Sequence, residues 1–303
     1  MTDPLAEVVT LLQPHARFSK LVLGAGPWRV SRSDAGQPFY CVVLEGRCRI
    51  TMDGRELIEL TSGDFALIPE TYGIAVSSLD APAGLETLQP IALGNNEYRV
   101  GSPDAPVDVR MLVGHSGFGS PDASLLVSLL PRFVHVRGEQ RLANLVQLVR
   151  DESREQRPAR DVVLARLLEV LFIEALRSTS GTNASPGLVR GLADPRLSAA
   201  LRVMHKRPAH DWTVLELARE AALSRSTFFE RFSRAVGVAP MQYLLGWRMA
   251  LAKDFLRRRE GGVAEVAERV GYSSASTFSV AFTRHVGRPP TQYAREQAAS
   301  DAA

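Results

Sequence analysis

The sequence predicts a two-domain α+β protein. An N-terminal antiparallel β-barrel with following helices precedes an all-α C-terminal domain that carries two helix-turn-helix units. Three observations predict it. Short apolar runs broken by turn residues fill Phe18 to about Val113, helical periodicity takes over from residue 122, and one pattern is written twice between Trp212 and Tyr293. At 303 residues, each domain is long enough to bury its own core. The boundaries fall at 1–121 for the barrel, 122–178 for a helical packing segment, 179–190 for a linker and 191–296 for the C-terminal domain. Within the last, the two units lie at about 213–233 and 262–284.

In the barrel region, Leu21–Leu23, Phe39–Leu44, Cys48–Met52, Leu57–Leu60 and Phe65–Ile68 read as strands. Glu45-Gly46, Asp53-Gly54 and Ser62–Asp64 supply the turns, the second being a strong hairpin signal. Closely spaced strands of this kind argue a small barrel or sandwich with room for one small ligand. Trp28, Tyr40, Tyr72 and His115 stand at or near predicted strands and combine stacking area with hydrogen-bonding groups, which makes them the candidate pocket. His115 alone is read first as a surface or satisfied core histidine and only second as a ligand contact. The six histidines, at 15, 115, 135, 205, 210 and 285, show no metal-ligand spacing, so neither metal nor cofactor is expected. Cys41 and Cys48 flank the Glu45-Gly46 turn. They are read either as small buried apolar side chains or as a redox-sensing pair on neighbouring strands.

Beyond residue 122 the stripes become helical: Leu125, Leu126, Leu129 and Leu130, then Leu142, Leu145, Val146, Leu148 and Val149. Val162–Leu176 is interrupted only by Arg166, Glu169 and Glu174 among largely apolar residues. A helix that apolar must pack on the barrel or on a second chain. Ser178–Gly187, rich in Ser, Thr, Gly, Asn and Ala, has a linker composition.

The repeat is the sharpest signal. Phe228 and Phe278, Phe232 and Phe282, Gly237 and Gly287, Pro240 and Pro290, and Tyr243 and Tyr293 each lie fifty positions apart. Such a period indicates a duplicated supersecondary unit. Thr213 with Glu216 has capping-box spacing, and Val214, Leu217, Ala218 and Ala221 form the apolar stripe of a first helix. After a turn at Ala222-Leu223, Ser224 caps a second helix whose Phe228 and Phe232 face inward. In the second copy the turn is Gly271-Tyr272, longer by one residue, and Ser273 or Ser274 is the cap. Residues 190–303 hold 18 Lys+Arg against 11 Asp+Glu, a net +7, which leaves −4 of the whole-chain +3 for residues 1–189. A basic C-terminal third beside an acidic remainder suits contact with nucleic acid by one end only.

Residues 190–293 resemble the DNA-binding domain of AraC/XylS-family bacterial transcription regulators, most specifically from Ala264 through Gly271-Tyr272-Ser273, Phe278, Phe282, Gly287 and Pro290 to Tyr293. The resemblance implies seven helices, with Met241–Leu256 as the long connector between the two units. It places Ser226, Phe229 and Glu230, with Arg225 at the mouth, on the groove side of the first reading helix. On the second it places Ala275, Ser276, Thr277 and Val280 there. Arg225, Arg231, Arg234 and Arg284 are candidate phosphate contacts, although Arg231 or Arg234 can equally pair with nearby carboxylates. The order Leu44-Glu45-Gly46, Asp53-Gly54, Gly63-Asp64-Phe65 and Pro69 similarly resembles a cupin-type sensor domain, without the His and Glu cluster of metal-binding cupins.

These readings imply a sequence-specific transcription regulator acting on promoter DNA and governed by a small effector. The resemblance also implies a homodimer and favours activation, with RNA polymerase as a partner. The alternative is a cupin-type enzyme with an attached helical DNA-binding module, which needs an acid/base or metal constellation that the barrel sequence does not supply. No run of eighteen apolar residues and no basic-then-apolar leader are found, so a cytoplasmic location without membrane contact is expected.

Overall fold

The short apolar runs become strands, and the helical stripes become helices, in the computed structural model. It describes residues 3–300 apart from 33–37, 53–57, 70–72, 83, 119–126, 128–129, 131–132, 156 and 179–185. A first helix, α1 (Pro4–Leu12), precedes β1 (Pro14–Ala25), β2 (Arg29–Arg32), β3 (Phe39–Glu45), β4 (Arg47–Met52), β5 (Ile58–Thr61) and β6 (Phe65–Ile68). Then follow β7 (Ile74–Ser77), β8 (Ile91–Gly94), β9 (Glu97–Gly101), β10 (Val109–Phe118) and β11 (Val134–Val136). Residues Leu12–Ser185 form one unit; Pro186–Ala303 form the other together with Met1–Leu11.

The expected closed antiparallel barrel is instead a sandwich of two sheets among the described residues. Their orders are β11-β6-β3-β10-β1-β9-β8 and β2-β7-β4-β5, and no ladder joins one sheet to the other. One pair, β1 with β9, runs parallel. The chain passes from the large sheet to the small one between β3 and β4 at Gly46. Its φ of 78° lies in the left-handed region, and a Cβ there would sit 2.0 Å from the Asp108 carbonyl oxygen, so only glycine fits this corner. Between the sheets lies a core that includes Val22, Trp28, Phe39, Cys41, Val43, Ile50, Leu60, Ile74 and Met111.

Two helices follow, α2 (Gln140–Arg154) and α3 (Arg160–Ser178). They pack on each other, α2 against β3 and α3 against β1, β6 and β11. The large sheet is therefore covered on both faces, which is why Phe39–Leu44 reads as an unbroken apolar run with every residue buried. Leu168 and Leu171 of α3 are buried within this one chain, so the apolar helix is satisfied by the sheet. Val162, Val163 and Val170 of α3 and Leu148 of α2 remain exposed. The expected Asp53-Gly54 hairpin turn, most of the Leu125–Leu130 stripe and linker residues 179–185 lie outside the described residues.

β11 is held on β6 by a buried carboxylate. Asp64 accepts from Arg137 Nη2 at 2.6 Å and from the Thr61 amide at 2.8 Å, and meets His135 Nε2 at 3.2 Å. Burial pushes its carboxyl up, but the hydrogen bonds from His135, Arg137 and Thr61 outweigh burial and hold it well below the usual carboxylate range.

The C-terminal unit contains α4 (Leu188–Ala193), α5 (Pro195–Lys206), α6 (Val214–Glu220), α7 (Arg225–Val236), α8 (Pro240–Arg257), α9 (Val263–Arg269), α10 (Ala275–Val286) and α11 (Pro290–Ser300). Among the described residues, eight helices stand where seven were implied. Asp194 ends α4 and caps α5, its carboxylate accepting from the Arg196 and Leu197 amides, with Pro195 fixed at the first helical position. Part of α1 completes this unit: His205 Nδ1 lies 2.7 Å from Glu7 Oε2 and its Nε2 lies 2.7 Å from the Tyr243 hydroxyl. A neutral imidazole, donating to Glu7 and accepting from Tyr243, satisfies both bonds. Burial drives its pKa down further than Glu7 draws it up.

Candidate nucleic-acid interface and ligand cavity

The two helix-turn-helix units are copies down to their ring geometry. Phe228 and Phe232 stand 5.5 Å apart at 52°, Phe278 and Phe282 5.4 Å apart at 53°. Phe232 meets Tyr243 edge-on at 5.8 Å, and Phe282 meets Tyr293 at 5.7 Å. These buried rings fix the angle at which each second helix leaves its turn. Thr213 and Glu216 form the expected capping box. Ser224 accepts from the Thr227 amide at 3.2 Å, and Ser274 from the Thr277 amide at 3.1 Å. Ser274, rather than Ser273, is thus the second cap, and Ser273 is the extra residue of the longer turn. Gly237 and Gly287, both left-handed, close α7 and α10.

With the phenylalanines turned inward, the opposite faces of α7 and α10 are open. Arg225, Ser226, Phe229, Glu230 and Arg234 are exposed on α7, and Ser276, Thr277, Val280 and Arg284 on α10, with Ala275 half-buried. Phe229 is 45% exposed and Val280 71%, so each of these two faces presents an apolar side chain to solvent beside its polar ones. Ser226 and Ser276 share hydroxyl contacts with the caps Ser224 and Ser274, at 3.2 and 3.0 Å, as Thr277 does with Ser274 at 2.9 Å. The cap therefore orients them and leaves lone pairs available. Among the described residues Arg225, Arg234 and Arg284 make no ion pair, whereas Arg231 Nε is bound to Asp194 at 2.5 Å. Between the units α8 spans 18 residues, roughly 27 Å at the helical rise, against about 34 Å between successive major grooves.

The second site is a cavity of about 240 Å³ between the two sheets. Val22, Phe39, Met111 and Val113 wall it on the large sheet, and Val30, Ile74 and Val76 on the small one. Lys20, Ser31, Gln89 and Tyr98 bring the polar groups, and Leu88, Pro90 and the Trp28 ring complete the lining. Trp28 is fully buried over Gly24, where a Cβ would fall 2.6 Å from Nε1 and 2.4 Å from Val109 Cγ1.

Comparison with known proteins agrees with this geometry. The Cupin family profile matches residues 3–180 and a Helix-turn-helix domain profile matches residues 217–296. A Streptomyces lividans protein, named as an AraC-like transcription regulator, is 35% identical over 300 residues, covering 96% of this chain and 97% of that one. The RCS-specific HTH-type transcriptional activator RclR of Escherichia coli is 32% identical, with 96% of each chain covered. The chain belongs to the AraC family of transcription regulators. The DNA-binding domain of AdpA, solved in complex with a target DNA, is 30% identical over 34% of this chain and 93% of that one, with a TM-score of 0.33.

As an AraC-family regulator the protein binds DNA through its helix-turn-helix domain and is not an enzyme. Of the four residues expected in the pocket, Trp28 lines the cavity. Tyr40 neighbours the lining residue Phe39 on β3, and strand alternation turns it to the helix-covered face of the sheet. His115 sits beside Phe39, ring centroids 6.2 Å apart, at the end of β10 and outside the lining. Tyr72 lies outside the described residues. Lys20 and Tyr98 went unnoticed in the sequence; Lys20 and Val22, two apart on one strand, were the available sign that a lysine shares the inward face.

Cys41 and Cys48 are free and fully buried. Cys48 hydrogen-bonds the Cys41 thiol, and this contact together with burial pushes that thiol well above its ordinary value. Among the described residues no group of three or more His, Cys, Asp or Glu is arranged to hold a metal ion. Nor is any described helix long and apolar enough to cross a membrane.

Proposed function

We propose that this AraC-family regulator recognises a promoter through α7 and α10 and adjusts its output to a small molecule held in the sandwich cavity. The observation that carries the reading is the pair of exposed helix faces, reproduced in both units, in a chain whose other unit encloses an apolar cavity. On α7, Glu230 accepts from a cytosine amino group and Phe229 packs on a thymine methyl; Ser226 reads either base type. On α10, Ala275 and Val280 suit thymine methyls, with Ser276 and Thr277 as adaptable polar contacts. Arg225, Arg234 and Arg284 bind phosphate, and Arg231 is held back by Asp194. Activation through contact with RNA polymerase is the mode we favour, since RclR is named an activator.

Two chains acting together would raise promoter affinity through effective concentration. Exposed Val163 and Val170, seven residues apart on α3, support a self-association face there.

An effector alters promoter binding only if the two conformations differ in their affinity for it. The test is a cavity-filling variant, Val76→Phe, assayed for promoter output in cells across a small-molecule panel. Loss of the response with effector-free promoter binding intact is expected. An unchanged response in the variant would place sensing elsewhere.

A further inference from the structure

The cavity has a charge character that the proposed effector role does not by itself require. Among the described residues, Lys20 is the only charged one in its lining. It is half-buried, on the same face of β1 as Val22, and its Nζ lies 4.6 Å from the centroid of the Tyr98 ring. Among the described residues no carboxylate pairs with it. A partly desolvated ammonium with only an aromatic face for company is under-compensated, because a ring attracts it far less than an anion does. Away from Lys20 and Tyr98 the walls are mostly Val, Ile, Phe and Met side chains, which offer a polyhydroxylated ligand few partners for its hydroxyls. A cationic ligand would meet like charge, with no acid among the described lining residues to receive it.

Size narrows the class further. The volume of about 240 Å³ equals roughly eight waters at their liquid share, which suits an organic molecule of roughly ten non-hydrogen atoms. We propose that the cavity binds a small organic carboxylate, its apolar body between the two sheets and its carboxylate at the Lys20 ammonium beside Tyr98. This rests on the reading of the cavity as the effector site, and the experiment separates the two ideas.

Full-length protein is titrated calorimetrically with phenylacetate and octanoate, with their neutral amides, and with phenethylammonium. The carboxylates should bind at least tenfold tighter than the amides, and the ammonium not at all. Lys20→Met should remove the carboxylate preference while leaving amide binding in place, and Lys20→Arg should keep the preference. Thermal melting of both variants checks that the fold persists. Equal affinity for acid and amide, no binding of any probe, or an undiminished preference in Lys20→Met would overturn the proposal. Carboxylate binding that follows the expected pattern yet leaves promoter affinity unchanged would uphold the anion site and remove the effector reading instead.

Discussion

Arg231 and Arg234 lie three residues apart on α7 in different surroundings. Arg231 ties α7 to the cap of α5 through Asp194, so Arg231→Ala should cost under about 1 kcal/mol of stability, as partly exposed pairs do. Arg234, exposed and without an ion pair among the described residues, should behave as a phosphate contact. Arg234→Ala is expected to weaken all DNA sequences alike and to lower the salt slope by about one in binding titrations. Glu230→Ala should instead change preference at a single base pair by roughly 1–3 kcal/mol. If every single-base variant of the site kept its rank order, Glu230 would have no part in readout. Asp64 governs the acid side of stability in the other unit. Its depressed carboxyl gives stability that is present above the unfolded value of about 4 and lost as pH falls below it. Arg137→Ala should cost about 2 kcal/mol, typical of a charge-assisted bond, and urea midpoints at pH 7 measure it.

At the level of elements, α1 was the least legible. Nothing in Pro4–Leu12 announces that Glu7 meets His205, because the partners are 198 residues apart and each is an ordinary residue where it stands. The contact carries a pH signature. The His205 pKa is lowered in the folded state, so the unfolded chain takes up the proton first, and stability falls as pH drops through and below about 6.5. Denaturation midpoints at pH 7.5 and 5.5 should therefore differ more for the wild type than for His205→Gln. The helix-turn-helix elements, by contrast, were readable almost residue by residue. A capping box, serine caps, inward phenylalanines and closing glycines are local signals, and duplication fixed their register. α3 was read correctly as a helix needing cover, but periodicity cannot say what supplies it; the large sheet does. Val163→Glu with Val170→Glu should leave that packing intact and lower the sedimentation coefficient, if chains associate through this face.

For the molecule as a whole, both domain types were legible and the closure of the sheets was not. Turn pairs and strand lengths are alike in barrels and sandwiches, and whether edges meet depends on long-range pairing such as β1 with β9. The lining of the cavity is hard to read for the same reason: which face of a strand looks inward follows from the sheet packing, which brings Phe39 and Lys20 into the lining and turns Tyr40 to the other face. On the proposed function, two similar helices read DNA side by side on one duplex. Hydroxyl-radical footprinting of the purified chain on the DNA flanking its gene would show it. Each chain should protect two short segments on one face of the duplex, centred about one helical turn apart, at a defined sequence. Protection of a single segment, or uniform protection without sequence preference, would contradict it.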